Sequence, residues 1–355
     1  MAAQSRRVNS LTLQRPDDWH VHLRDGAALA AVAGFTAERF GRAIVMPNLA
    51  PAVTTTGMAQ AYRRRIMAAL PAQTRFEPLM TLYLTDATDP AEIVLALSSG
   101  IVHGVKYYPA GATTHSEAGV TDIARTYPTL ERMQEVGMRL LVHGETPQAN
   151  VDVFDRETHF IDTVLIPLIE RFPKLKVVFE HITTARAAEL VAGARPGVAA
   201  TITPQHLLHN RNAIFSGGIR PHFYCLPILK RERDREAVLT AATGGNPRFF
   251  LGTDSAPHAR ASKENACGCA GMFTAHGAIE LYAEVFEAAG CLNRLQPFAS
   301  HFGADFYGLP RHQDTITLIK EPWTAPATLD FGDGTLVPYR AGEAIGWRLA
   351  ALERA

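Results

Sequence analysis

Within DWHVHLRD the sequence sets His20 and His22 two positions apart, with Val21 between them. On a strand, residues two apart share a face and lie roughly 6 to 7 Å apart at Cα, so two such imidazoles can converge on one cation. Val21 and Leu23 then turn the other way into packing. The bland alternative is a pair of hydrogen-bonded strand histidines. His143 closes RLLVHGE, His181 closes KVVFEH and Asp254 closes RFFLGTD. Singly, each has an ordinary reading: a satisfied core or rim histidine, or a capping or turn aspartate. Together, on the ends of four strands that share one mouth, they form a candidate metal site. Lys106, inside GVKYYP, is the odd member. A lysine at an apolar strand end must snorkel, pair or lose its charge. Burial lowers its pKa, and the neutral amine can capture carbon dioxide as a carbamate, a two-oxygen anion able to bridge two cations. An ion-paired lysine is the alternative.

These residues need elements to hold them. A short apolar run ending in a polar residue recurs through the chain: LTLQRPDDWHVHLR, RAIVMPN, PLMTLYL, GVKYYP, RLLVHGE, KVVFEH, GVAATITPQH and RFFLGTD. Helical spacing separates the runs, over Met58–Leu70, over Thr158–Phe172 and in the alanine-rich Ala185–Ala192. Strands alternating with helices imply parallel pairing, and continuous apolar runs imply strands covered on both faces. Eight such units predict a closed (β/α)8 TIM barrel rather than an open doubly wound sheet. An open sheet would carry a glycine-rich turn after its first strand, and DWHVHLRDG is not one. Reacting groups of such barrels sit at the C-terminal ends of the strands, where the polar terminators fall. Further helices are predicted over about Phe273–Ala289 and Gln296–Tyr307. The tail around DFGDG reads as short β segments and turns. The whole chain, 1–355, is read as one barrel domain with a small C-terminal appendage over about 310–355.

Composition narrows the function classes. Lys plus Arg, 35, balance Asp plus Glu, 35, so no global basic field serves nucleic acid or an anionic membrane surface. An anionic small-molecule substrate must be held by local charge. The four cysteines, Cys225, Cys267, Cys269 and Cys291, are too few and too irregular for a disulfide framework. Cys267 and Cys269 form C-G-C, short of zinc-ribbon spacing, and read as reduced thiols near a loop. The N-terminal MAAQSRRVNSLTLQRPDD lacks an apolar leader core, and nowhere is there an 18-residue apolar run, so the expected setting is cytoplasmic.

The set H-x-H on the first strand, lysine on the fourth, histidines on the fifth and sixth and aspartate on the eighth resembles the amidohydrolase superfamily. More narrowly, DWHVHLRD, MPNL, GVKYYPAGATTHS, LLVHGE, FEHITT, ITPQHLLHNRN, LGTDSAPH and KENACGCAG resemble the single-domain bacterial dihydroorotases, in that family's order from about residue 17 to about 272. No ligand is missing; the tail beyond about residue 310 is far less diagnostic.

The resemblance implies two zinc ions per subunit. His20, His22 and Asp254 would hold the first and His143 and His181 the second, with carbamylated Lys106 (N6-carboxylysine) bridging them. Imidazole and oxygen ligands suit zinc, though cobalt or manganese could replace it. The implied reaction is reversible hydrolysis of L-dihydroorotate to N-carbamoyl-L-aspartate in pyrimidine biosynthesis. A water shared by the ions would attack the ring amide, and Asp254 would shuttle the proton. Arg24, two residues beyond His22 on the same face, offers a planar fork for the substrate carboxylate; a surface ion pair is its bland reading. Asn48 and His258 resemble the family's substrate contacts, and Leu226 and Ala270 would meet the ring through backbone groups. Thr113 and Thr114, in GATTHS, would sit on a flap closing over substrate, where loop sequence alone leaves an exposed turn equally open. A homodimer is also implied. Two rivals stand beside this reading: a hydantoinase or dihydropyrimidinase-like enzyme, which would want a more apolar pocket, and a catalytically dead barrel serving as an assembly partner.

Overall fold

The computed structural model describes residues 9–350; the leading MAAQSRRV, part of the segment read for a leader, and the last five residues of the expected appendage lie outside it. After β1 (Ser10–Gln14), eight parallel strands follow: β2 (Asp17–Val21), β3 (Arg42–Val45), β4 (Glu77–Tyr83), β5 (Val102–Tyr107), β6 (Arg139–Val142), β7 (Lys176–Phe179), β8 (Val198–Ile202) and β9 (Phe249–Leu251). They pair in chain order. The ring closes where Asp254 N–H donates to the His20 carbonyl at 2.9 Å and His22 N–H to the Ser255 carbonyl at 3.1 Å. This is the expected TIM barrel.

Local chemistry explains the helices that wrap it. Thr55 caps Thr56–Ala68 by accepting from Met58 N–H, and Ala59, Tyr62 and Ile66 form its single buried face. Thr184 does the same for Ala185–Gly193 through Ala187 N–H, burying Ala187, Ala188 and Val191. Inside the barrel, alternation divides the strands lengthwise. At the floor Ile44, Leu79, Leu141, Val178 and Phe250 pack with Trp19 against Ala304 and Tyr307 of the helix Phe302–Tyr307. The Trp19 and Tyr307 rings stack at 4.4 Å, and any Cβ on Gly303 would collide with the Trp19 indole. Burying each of the larger of these side chains stabilises by roughly 2 kcal/mol. Two or four residues further up the same strands the inward row becomes polar: His143 above Leu141, Asn48 above Ile44, Asp254 above Phe250.

Three expectations are corrected. The first run is not one strand. Pro16 interrupts it, and Ser10–Gln14 leaves the barrel to pair antiparallel with β10 (Thr315–Ile319), Ser10 opposite Ile319 and Gln14 opposite Thr315. The predicted helix over Thr158–Phe172 runs Arg156–Arg171 with a wide π turn at Ile161–Leu165. The two later helices start late: Ala275–Gly277 is a 3-10 turn before Ala278–Ala288, and Pro297–His301 a π turn before Phe302–Tyr307. In the tail, β11 (Trp323–Thr324) pairs with β14 (Ala344–Ile345), and β15 (Arg348–Leu349) joins β10. β12 (Leu329–Phe331) and β13 (Gly334–Leu336) form the hairpin expected at DFGDG, with Gly332 at φ 61° in its two-residue loop.

Candidate metal centre and substrate pocket

The strand ends meet in a cavity of about 340 Å³, its open mouth included. Of the site residues named from the sequence, all line it except Lys106, buried behind it, and His258, which stands behind Arg24. His20 Nε2 and His22 Nε2 lie 3.3 Å apart, and Asp254 Oδ1 lies 3.3 Å from the first and 3.1 Å from the second. A tetrahedral ion with ligands at about 2.0–2.1 Å wants donor atoms roughly 3.3 Å apart, so this triangle fits one coordination face. Opposite it, His143 Nδ1 and His181 Nε2 face each other at 3.3 Å.

The outer hydrogen bonds fix which nitrogens are free. His22 Nδ1–H donates to Asn48 Oδ1 at 2.8 Å, and His143 Nε2–H to Glu145 Oε2 at 3.2 Å, so the remaining nitrogen of each ring presents a lone pair to the centre. Burial, then the neighbouring Lys106, holds His20 and His181 well below the ordinary histidine range, and burial lowers His22 too. His20, His22 and His181 therefore stand as neutral imidazoles. Lone pairs converging on one another with a carboxylate beside them make an acceptor-rich pocket that a divalent cation satisfies. Two groups, His20–His22–Asp254 and His20–Glu180–His181, have donor atoms within 4.8 Å of one another.

Three of these residues hold left-handed backbone: Arg24 at φ 60°, His181 at 42° and Asp254 at 45°. Such a conformation costs a non-glycine residue on the order of 1 kcal/mol or more, and it collects at functional sites. At β7 its effect is concrete. Glu180 follows the inward parity of Val178, and the turn in φ lets the next residue, His181, face the same centre. Lys106 is fully buried. Its Nζ contacts Glu180 Oε2 and lies 4.9 Å from the Tyr108 ring centroid, so the amine has a partner, as the bland reading of this lysine had it. Burial drives it well below the usual lysine range.

Beside the donors stands the cation Arg24. Arg24 Nε donates to the Pro257 carbonyl at 2.9 Å and Nη2 to His258 Nε2 at 3.0 Å. Burial, then Arg24, depress His258 to about 2, which keeps it neutral. Asn48 Nδ2 donates to the Thr114 carbonyl at 3.3 Å, tying the GATTHS loop to a histidine partner. That loop is folded on itself, Thr113 N–H donating to Ser116 Oγ at 2.9 Å. Sequence reasoning missed Glu180, Glu145 and Lys263. The first two were readable, Glu145 lying two residues past His143 and Glu180 sharing parity with Val178. Lys263 lies in the motif KENACGCAG, but its role carried no signal, since its partners are backbone carbonyls.

A barrel with a candidate metal-donor cluster and a cation at its mouth is the arrangement of a hydrolase site, and similarity agrees: the chain belongs to the amidohydrolase family, whose profile matches residues 18–327. Within that family its relatives are dihydroorotases. One, from Cupriavidus metallidurans, is 66% identical over 341 residues, 96% of this chain and 99% of its own. The crystal structure of the Saccharomyces cerevisiae dihydroorotase in complex with 5-fluoroorotic acid superposes with a TM-score of 0.89 at 32% identity, covering 97% of this chain and 99% of that one. The L-hydantoinase of Arthrobacter aurescens shares the fold (TM-score 0.80, 96% of this chain and 83% of that one) at only 15% identity. The hydantoinase rival thus has the fold alone in its favour.

Proposed function

We propose that this chain is a zinc-dependent dihydroorotase that interconverts L-dihydroorotate and N-carbamoyl-L-aspartate in the pyrimidine pathway leading to UMP. The observation that carries this reading is the single cavity in which the donor ring adjoins the cation Arg24. His20, His22 and Asp254 would hold one zinc and His143 and His181 the other, with Lys106 joining both as a carbamate. When bound, the ions supply Lewis acidity to the ring amide carbonyl and lower the pKa of the attacking water. Asp254 Oδ1 stands 3.1 Å from His22 Nε2, placed to take the water's proton and return it to the leaving ring nitrogen. Arg24, with Asn48 and His258, binds the substrate carboxylate. The backbones of Leu226 and Ala270 meet the ring, and Thr113 and Thr114 close over it and exclude water.

Burial lowers the pKa of the Lys106 amine, which favours the neutral form that adds to carbon dioxide, releasing one proton as the carbamate forms. The proposed organisation is one catalytic domain, supported by the β1–β10 pairing that binds residues 10–14 to 315–319. A homodimer is proposed too: Val94, Leu95 and Leu97 are exposed on the helix Pro90–Ser98, apolar surface that a second copy would cover. Four cysteines without a disulfide accord with a cytoplasmic setting, and among the described residues no helix is long and apolar enough to cross a membrane.

The test offers zinc-loaded protein L-dihydroorotate, hydantoin and dihydrouracil in parallel. Ring opening of dihydroorotate alone is expected; preference for either uncharged ring would overturn the reading. Inertness toward all of them, in folded and metal-loaded protein, would favour the dead barrel.

A further inference from the structure

Behind the substrate side of the pocket, and outside the donor ring, stands a buried lysine that the proposed reaction does not use. Lys263 is only 4% exposed, yet among the described residues no carboxylate pairs with it. Its Nζ donates to backbone carbonyls alone: Tyr224 at 3.0 Å, Cys269 at 2.8 Å and Gly271 at 2.6 Å. An ammonium has three donors, and here each has an acceptor. The three carbonyls come from the two segments that carry the cavity-lining residues Leu226, Ala270 and Gly271.

Further bonds join the same pieces. Gly271 N–H donates to the Tyr224 carbonyl at 3.0 Å, Cys269 N–H to the Ser262 carbonyl at 3.0 Å, and Ala256 N–H to the Met272 carbonyl at 2.8 Å. Gly271 sits at φ 150°, and a Cβ there would come within 2.6 Å of the Ala256 carbonyl oxygen. Glycine is therefore required where the loop passes this close. A loop held so tightly by one buried cation has its carbonyls on either side of Ala270 drawn inward to the ammonium. The Ala270 peptide between them is then fixed at the cavity wall.

We propose that Lys263 is a positioning residue for substrate recognition. Through the Tyr224, Cys269 and Gly271 carbonyls it cross-links the segments that carry Leu226 and Ala270 into one preformed ring-binding edge beside Arg24 and His258, and it does so without touching the reacting atoms. The proposal rests on the dihydroorotase reading, since that reading supplies the ring those backbones meet. Preorganised backbone contacts contribute to ground-state and transition-state binding alike, so their loss raises KM and spares kcat.

The experiment measures KM and kcat for L-dihydroorotate, and the affinity for 5-fluoroorotic acid by calorimetry, in zinc-loaded wild type, Lys263→Met and Lys263→Gln. The Met variant keeps the stem and removes all three donors. Roughly a ten- to hundredfold rise in KM and a matching loss of 5-fluoroorotic acid affinity are expected, with kcat within about threefold of wild type. The Gln variant, with two N–H donors on a shorter stem, is expected to fall between, and it carries the test alone if the Met variant does not fold. Unchanged KM and affinity in a folded variant, or a fall in kcat with KM unchanged, would overturn the proposal. A wild type inert toward L-dihydroorotate would instead overturn the reading on which it rests, and is told apart by that control.

Discussion

The floor and the mouth of the barrel are built from the same strands, often from the same inward-facing row, and they obey opposite rules. Leu141 lies in the floor and His143, two residues on, in the mouth; Phe250 and Asp254 repeat the contrast. The floor is apolar and closed by Tyr307, its ring stacked on Trp19. The mouth buries neutral imidazoles and carboxylates and holds Arg24, His181 and Asp254 in left-handed backbone. The floor gains stability from burial. The mouth loses some to desolvation and strain, and what it gains is a set of converging lone pairs. Stability and chemistry are thus separated along one strand by about 7 Å.

That separation can be broken from either end. The largest effect is expected for Asp254→Asn, which keeps an oxygen ligand but cannot accept the water's proton. Turnover should fall by about a thousandfold or more with zinc content retained, measured by steady-state kinetics beside metal analysis. Activity near wild type would remove Asp254 from proton transfer. At the floor, Leu141→Ala should cost about 2–5 kcal/mol by denaturant unfolding while leaving kcat per folded molecule unchanged. A large drop in kcat would show that floor and mouth are not separable. Arg24→Met should raise KM for L-dihydroorotate by roughly ten- to a hundredfold through loss of a charge-assisted bond. A neutral substrate analogue should be indifferent to that change.

The smallest effect sharpens the electrostatics. Burial lowers His20, His22 and His181. A lowered pKa means that the proton leaves more readily, so protons compete with a metal only below the ordinary histidine value near 6.5. Zinc should accordingly survive dialysis at about pH 5.5. Release in step with a titration near 6.5 would show that the imidazoles are not depressed.

Much of this was legible in the residues, for a physical reason. Parallel strands buried on both faces read as continuous apolar runs, and six of the eight runs here carry at or near their ends a polar residue that the proposed site uses. Misreadings arose where one local signal outweighed another. Pro16, inside the first run, marks the break between β1 and β2, and the alternation around it hid that break. The wide turn at Ile161–Leu165 leaves helical spacing nearly intact and so is silent in sequence. Glu180 was readable by parity but was passed over, because strand alternation assigns one inward residue, and only the φ of His181 admits two. Lys263 lies within KENACGCAG, but its role could not be found, because its partners, the carbonyls of Tyr224, Cys269 and Gly271, have no side-chain signature and meet only in the fold.

The central claim, that a metal centre joined through Lys106 opens the dihydroorotate ring, is tested most directly by reconstitution. Metal-stripped wild type and Lys106→Ala would be returned to zinc and followed by loss of L-dihydroorotate ultraviolet absorbance. The account predicts turnover restored by zinc in wild type and none in Lys106→Ala. Turnover in the stripped protein, or equal turnover in the variant, would contradict it.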